Sequence, residues 1–268
     1  MRQQSSSRAT RPLFVPGFVV LALALLVVGE RAFAQKTDTI AIRGRQQSLR
    51  VYGSRGTGDP VVISSGDGGW IHLGPHVAEI LAARGFFVIG FDAKEYLESF
   101  TSGAGTLRTE DEPGDYRVLV GYAAQDSRKK PILIGVSEGA GLSVLAATDP
   151  QTKQTIRGVI GLGLPDLNEL GWRWRDSLIY LTHGVPKEPS FSVAAVVEKV
   201  APVPLAAIHA THDEFVPLSE AQAMLRLARE PKRLWVVRAS NHRFSDNLAE
   251  FDERLLEAIA WVRQNEPR

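Results

Sequence analysis

Six short, almost continuously apolar runs constrain this chain more than any other feature: Pro60 to Ser64, Phe86 to Phe91, Pro131 to Val136, Val159 to Leu164, Pro204 to His209 and Leu234 to Val237. A strand with one wet face alternates apolar with polar residues, so a run apolar at nearly every position needs cover on both faces. Longer amphipathic stretches separate the runs, over His72 to Arg84, about Asp115 to Ser127, Gly139 to Ala147, Ser219 to Arg229 and Glu250 to Arg263. The last shows Phe251, Leu255, Ile259 and Val262 at three- and four-residue spacing, the stripe of a helix lying on a core. Buried strands alternating with helices make a mostly parallel sheet flanked by helices, an α/β architecture. Ahead of them, Thr39 to Arg43 and Ser48 to Tyr52 alternate around a polar turn containing Gly44 and read as a β-hairpin, which brings the expected sheet to about eight strands.

The N-terminus is of a different kind. Arg2, Arg8 and Arg11 precede the apolar run Leu13 to Gly29, and Ala32-Phe33-Ala34 stands before Gln35. That is the tripartite pattern of an export signal, with cleavage expected after Ala34, a periplasmic destination and one domain over residues 35–268. An uncleaved anchor is the alternative, although Phe14 to Val28 falls short of the ~20 apolar residues of a spanning helix. With no cysteine, the chain has no disulfide and no thiolate nucleophile. A net charge of +1 without a basic run leaves no electrostatic footprint for nucleic acid, while a local patch can still touch anionic lipid. Two segments lack rhythm: Glu95 to Pro113, and Leu167 to Val193 with Trp172, Trp174 and Tyr180, which reads either as a cap over a site or as a surface excursion whose aromatics complete the core.

Gly135-Val136-Ser137-Glu138-Gly139 matches G-x-S-x-G in the strand-to-helix context the motif requires, after Ile132-Leu133-Ile134 and before the small residues Ala140 to Ala147. This is the nucleophile elbow of the α/β-hydrolase fold, with Ser137 exposed at a helix head; the bland reading is a serine that only caps the helix. A serine nucleophile needs a base and a group that orients the base, in the chain order serine, acid, histidine. Asp213 follows the run ending at His209, and His242 follows Trp235-Val236-Val237, so both stand at carboxyl ends of strands, where open α/β sheets bind ligands. His209 is expected to point into the sheet, His212 sits beside the acid, and His72, His76 and His183 come too early in the chain; Glu214 and Asp246 rival Asp213. The oxyanion donors are expected at the N–H of Glu138 and, in the loop Ser65 to Trp70, the N–H of Asp67, with Gly68 as second choice. No metal or cofactor is called for, since the histidines are scattered and H-E-x-x-H is absent.

The loop Gly66-Asp67-Gly68-Gly69-Trp70, the following Leu81-Ala82-Ala83-Arg84-Gly85, Asp92 with Tyr96, Arg108-Thr109 and the elbow at Ser137 together resemble the AcvB/VirJ family of bacterial periplasmic proteins over nearly the whole mature chain. The resemblance implies an α/β-hydrolase that releases lysine from lysyl-phosphatidylglycerol, and a link with virulence and secretion. Its implied partners are an aminoacylated phospholipid, the membrane surface peripherally, and secretion-system proteins. Gly68, Trp70 and Asp92 become the expected substrate-binding residues, with Asp67, Asp92 and Glu138 offering negative charge to a lysyl ester. The chain departs from the family pattern at Glu138, where an aromatic residue is expected, and at Ala93-Lys94-Glu95, which lacks a tryptophan. Two rival readings stand beside this one: a non-enzymatic binding or chaperone-like protein on the same scaffold, and a hydrolase of acylated sugars or peptides.

Overall fold

The computed structural model describes residues 36–56, 58–173 and 188–267. Strands β1 (Lys36–Ile42) and β2 (Arg45–Tyr52) form the expected hairpin, turning at Arg43 and Gly44 with φ of 47° and 79°. Positive φ at both central residues matches the twist of the flanking strands. There follow β3 (Pro60–Ser64), α1 (Leu73–Ala83), β4 (Phe87–Phe91), α2 (Ala93–Phe100), α3 (Glu112–Ala124), β5 (Ile132–Val136), α4 (Glu138–Ala146), α5 (Pro150–Thr155) and β6 (Gly158–Leu162). The chain continues through β7 (Leu167–Glu169), β8 (Ser190–Ser192), a 3-10 turn at Val197–Val200, β9 (Leu205–Ala210), α6 (Leu218–Leu227), β10 (Lys232–Val237) and α7 (Leu248–Gln264).

Eight strands make one sheet in the order β1-β2-β4-β3-β5-β6-β9-β10, with β2 antiparallel to both of its neighbours and the strands from β4 to β10 parallel. Every residue of β3, β4, β6 and β9 is buried, which is why their sequences are apolar at every position but Ser64 and His209. Alternate positions feed two cores. Val61 and Ile63 pack with Val77 and Leu81 of α1 and Phe251, Leu255 and Ile259 of α7, whereas Val62 packs with Leu119 of α3, Leu142 of α4 and Leu225 of α6. Helices α1 and α7 are also bridged by His76 and Asp252, 2.9 Å apart.

Three departures from expectation have local causes. Glu95 to Pro113 holds helix α2, whose eight residues are too few to display a period; Asp92 caps it by accepting the Glu95 N–H at 3.2 Å. Helix α3 begins at Glu112, with Pro113 in its first turn, where a missing N–H costs nothing. The ends of the 167–193 excursion pair as the antiparallel strands β7 and β8, and Trp172 is buried, with the Lys94 ammonium 4.1 Å over its ring. Trp172 thus completes the core; Trp174, Tyr180 and His183, like the leader through Ala34, lie outside the described residues.

Candidate active site

Ser137 joins β5 to α4 with φ 50° and ψ −117°, a conformation that costs a non-glycine residue about 1–3 kcal/mol and persists only where its surroundings enforce it. The enforcement is visible. The Ser137 N–H donates to the Leu162 carbonyl at 2.8 Å, tying the elbow to β6. A Cβ on Gly135 would lie 2.2 Å from the Gly139 carbonyl oxygen, and one on Gly139 would lie 2.3 Å from that of Ser65. Only glycines at both flanks let strand, helix and loop approach this closely. Ser137 lines a cleft of about 250 Å³ together with Gly66, Asp67, Gly68, Glu138 and His242, at the carboxyl ends of the central strands.

Imidazole and carboxylate enter from β10 and β9. His242 Nδ1 lies 2.6 Å from Asp213 Oδ2, and the other Asp213 oxygen accepts the N–H groups of Phe215 at 3.0 Å and Val216 at 2.9 Å. Burial alone would raise the Asp213 carboxyl, but the His242 hydrogen bond and charge, joined by the two N–H donors, outweigh it and hold the group below the usual carboxylate range. Both rivals of Asp213 serve the backbone instead: Glu214 accepts the His242 N–H at 2.7 Å, and Asp246 accepts the Ser240 N–H at 2.9 Å. His209 is fully buried in β9, as expected, and donates from Nε2 to the Val216 carbonyl at 2.8 Å beneath the acid's loop. The ring of His242 is seated against Gly163, where a Cβ would come within 2.5 Å of Cε1, and against the edge-on ring of Phe215 at 5.7 Å. Its Nε2 has no hydrogen-bond partner among the described residues and, like Ser137, belongs to a residue that lines the cleft.

The glycine loop corrects two expected contacts. Asp67 and Gly68 line the cleft, but Trp70 and Asp92 do not; they brace the loop from behind. The Trp70 N–H donates to Asp92 Oδ2 at 2.9 Å and its indole N–H to the Tyr52 hydroxyl at 3.2 Å, while the ring fills the space over Gly90, where a Cβ would come within 2.3 Å. Asp92 is therefore spent on the loop and on capping α2, and it offers no charge to a ligand.

Glu138 has two parts with separate roles. Its N–H stands at the first position of α4, directly after Ser137, where a helix N–H has no acceptor inside the helix. Its side chain is buried, with Oε1 unpartnered among the described residues. Burial, then the carboxylates of Glu169 and Asp67, push the Glu138 carboxyl well above its ordinary value, which disfavours the negative charge expected there. Glu169 on β7 also lines the cleft and was not foreseen. A single carboxylate in a segment without periodicity carries no signal in sequence; only the fold of β7 across α4 brings it to the nucleophile.

The model of a family described as bacterial virulence protein (VirJ) matches residues 59–261. This chain belongs to the VirJ family. The VirJ match takes in every residue of the cleft, from Gly66 to Arg243. The chain is 28% identical over 170 residues to the uncharacterized protein YfhR of Escherichia coli O157:H7, an alignment that spans 62% of this chain and 57% of that relative's length. Among solved structures, the α/β hydrolase GrgF from Penicillium sp. sh18 superposes with a TM-score of 0.63 at 13% identity, covering 87% of this chain and 99% of that one. Est1E from Butyrivibrio proteoclasticus does so with a TM-score of 0.60 at 16% identity, covering 85% and 100%. At such identities the likeness establishes the fold, and this VirJ protein has the α/β-hydrolase fold.

Proposed function

We propose that this protein is an exported, periplasmic serine hydrolase that cleaves a carboxylic ester through Ser137, His242 and Asp213. The observation that carries the reading is the 2.6 Å bond from His242 to the buried Asp213, in the cleft where Ser137 occupies a strained elbow. Asp213 fixes the imidazole with its proton on Nδ1, leaving Nε2 to accept from Ser137. The Ser137 oxygen bonds to the ester carbon as its proton passes to Nε2, and the tetrahedral oxyanion takes the N–H groups of Glu138 and Asp67. Collapse breaks the bond to the alcohol, which leaves with the proton from Nε2; water then repeats the sequence on the acyl-enzyme and frees the acid. The unpartnered Nε2 suits a free enzyme whose catalytic hydrogen bond tightens only around substrate.

The finer reading is that the acyl group carries an amine, as in the lysyl ester of lysyl-phosphatidylglycerol. Asp67, Glu138 and Glu169 converge beside the nucleophile, and an ammonium docked there offsets the burial and mutual repulsion that push the Glu138 carboxyl up. The unpartnered Nε2 also favours a second reading, a binding or chaperone-like protein that assists secretion without turnover. Free lysine released from lysyl-phosphatidylglycerol, beside a short-chain p-nitrophenyl ester, separates these in the wild type and Ser137→Ala. Cleavage of both by the wild type alone supports mechanism and substrate; cleavage of the small ester alone removes the substrate; cleavage of neither leaves the binding protein.

A further inference from the structure

We propose that His72 and Arg243 form an anion subsite beside the nucleophile that holds a phosphate ester on the alcohol half of the substrate, an inference that rests on the Ser137 hydrolase reading. Both residues line the cleft with Ser137 and His242. They also share one wall. His72 stands at the head of α1 and Arg243 shortly before α7, and these two helices pack side by side on one face of the sheet, bridged by His76 and Asp252 at 2.9 Å and by the rings of His76 and Phe251 at 6.2 Å. The carboxyl-bearing wall belongs to the opposite face, where β7 with Glu169 packs on α4 with Glu138. The cleft is therefore polarised across the nucleophile, with hydrogen-bond donors on one side and carboxyls on the other.

The donors are available. Arg243 is exposed and makes no ion pair among the described residues, and the carboxylates around the adjacent His242 are engaged elsewhere: Asp213 with the His242 ring, Glu214 with the His242 N–H, and Asp246 with Ser240 and Asn241. An arginine whose charge is not neutralised by its own protein is suited to a phosphate, which its planar fork can grip through two N–H groups. His72 has φ 55° and ψ −110°, nearly the conformation of Ser137, and its side chain caps nothing in α1. Two non-glycine residues in the same rare conformation, heading the two helices that flank the cleft, present both side chains to one volume. Ile71, 50% exposed, and Phe215, 51% exposed, adjoin this wall and thin the water around a bound anion.

Direction follows from the chemistry. The leaving oxygen must sit at His242 Nε2 to receive its proton, so the alcohol lies on the side of His242 and of the adjacent Arg243, while the acyl carbonyl faces Glu138. The anion is thus assigned to the alcohol.

Two esters of one acyl group, on glycerol and on glycerol 3-phosphate, test this with the full chain and its Arg243→Ala, Arg243→Lys and His72→Ala variants. The wild type favours the phosphate-bearing ester about tenfold, through KM; the preference collapses in Arg243→Ala and weakens both in His72→Ala and in Arg243→Lys, which keeps the charge but loses the fork. Equal KM values for the two esters in the wild type, or a preference indifferent to Arg243→Ala, overturn the subsite and leave the hydrolase reading intact. Calorimetric titration of glycerol 3-phosphate into the Ser137→Ala protein reads the subsite without turnover. Binding that Arg243→Ala weakens about tenfold supports it even where no ester is cleaved, an outcome that sinks the hydrolase reading alone; binding that ignores Arg243 sinks the subsite. Sedimentation with phosphatidylglycerol against phosphatidylcholine vesicles identifies the source of the phosphate. Arg243-dependent retention on the former marks a lipid headgroup, and glycerol 3-phosphate binding without retention marks a soluble ester.

Discussion

Replacing Asp213 with asparagine changes one atom of the cleft and reverses the polarity of one hydrogen bond. The Phe215 and Val216 N–H groups, at 3.0 and 2.9 Å, bind one carboxylate oxygen and will demand an oxygen there in the variant too. The amide nitrogen of the introduced asparagine is then turned toward His242 Nδ1, now 2.6 Å from Asp213 Oδ2. An NH2 group can only donate, so Nδ1 must become the acceptor and the ring proton moves to Nε2, the atom that has to receive the serine proton. Loss of the correct tautomer costs roughly four orders of magnitude in kcat, equivalent to about 5.4 kcal/mol at about 1.36 kcal/mol per decade. Were Asp213 a mere anchor for the ring, the isosteric amide would keep activity within about a decade. Steady-state turnover of a p-nitrophenyl ester, with thermal unfolding as a control for folding, distinguishes these outcomes. A variant that retains a tenth or more of wild-type kcat refutes the assigned role. Stability gives a second check: because the folded Asp213 lies below its ordinary 3.8, its ionised form stabilises the fold fully at higher pH, and that contribution fades as pH falls through the lower folded value. The stability gap between wild type and Asp213→Asn should accordingly narrow in acid below about pH 4, measured by denaturant midpoints.

Four further outcomes follow from particular contacts. Ser137→Gly abolishes turnover yet raises the denaturation midpoint, by about 1 kcal/mol or more, since φ 50° is free of strain only for glycine; an unchanged or lowered midpoint contradicts the strain. Gly163→Ala sets a methyl 2.5 Å from His242 Cε1 at a φ of 60°, and both effects predict at least a tenfold loss of kcat with about 1–2 kcal/mol of stability; retention of full activity would show that the ring needs no such seat. Glu138→Gln is isosteric with the neutral acid that burial favours, so on a neutral ester it should match wild type best in acid and diverge as pH rises and Glu138 ionises beside the oxyanion; coincident pH profiles would refute that upward shift. Glu112 is wholly buried with both oxygens unpartnered among the described residues, and burial, then Asp115 and Asp149, raise its carboxyl well above 4.5. Its stabilising neutral form is complete below about pH 4.5 and is lost as pH rises toward the folded value, so Glu112→Gln should flatten a decline in wild-type stability above pH 4.5, read from denaturant midpoints at pH 5 and pH 8.

Much of this architecture could be read before any coordinates. Residues apolar at nearly every position of β3, β4, β6 and β9 had to be covered on both faces, and the helices between them had to supply the cover. G-x-S-x-G was legible because its chemistry is local: the two glycines are demanded by neighbours in the chain itself and by the strand and loop beside them. Asp213 and His242 were legible for a related reason, as each ends a strand, and parallel strands carry their carboxyl ends to one edge. Short elements were not. Helix α2 and strands β7 and β8 are shorter than the window over which a period shows, and their places are set by contacts far along the chain, such as the Leu107 N–H donating to the Leu170 carbonyl at 2.7 Å.

The remainder depends on which way a side chain faces and what surrounds it. Trp70 shares the loop of Asp67 and Gly68, and Asp92 stands behind it, yet both turn away from the cleft, because the carboxylate accepts the Trp70 N–H and the indole fills the gap over Gly90. Glu138 is a carboxyl in any sequence, and only its burial, with Glu169 and Asp67 nearby, disfavours its ionisation. Residue type and spacing determined the sheet, the elbow and the chain order of the candidate site residues, since those follow from periodicity and backbone sterics. The polarity of the cleft, with Glu169 on one wall and His72 and Arg243 on the other, was decided by tertiary packing alone, because charge and hydration depend on neighbours that the linear chain does not show.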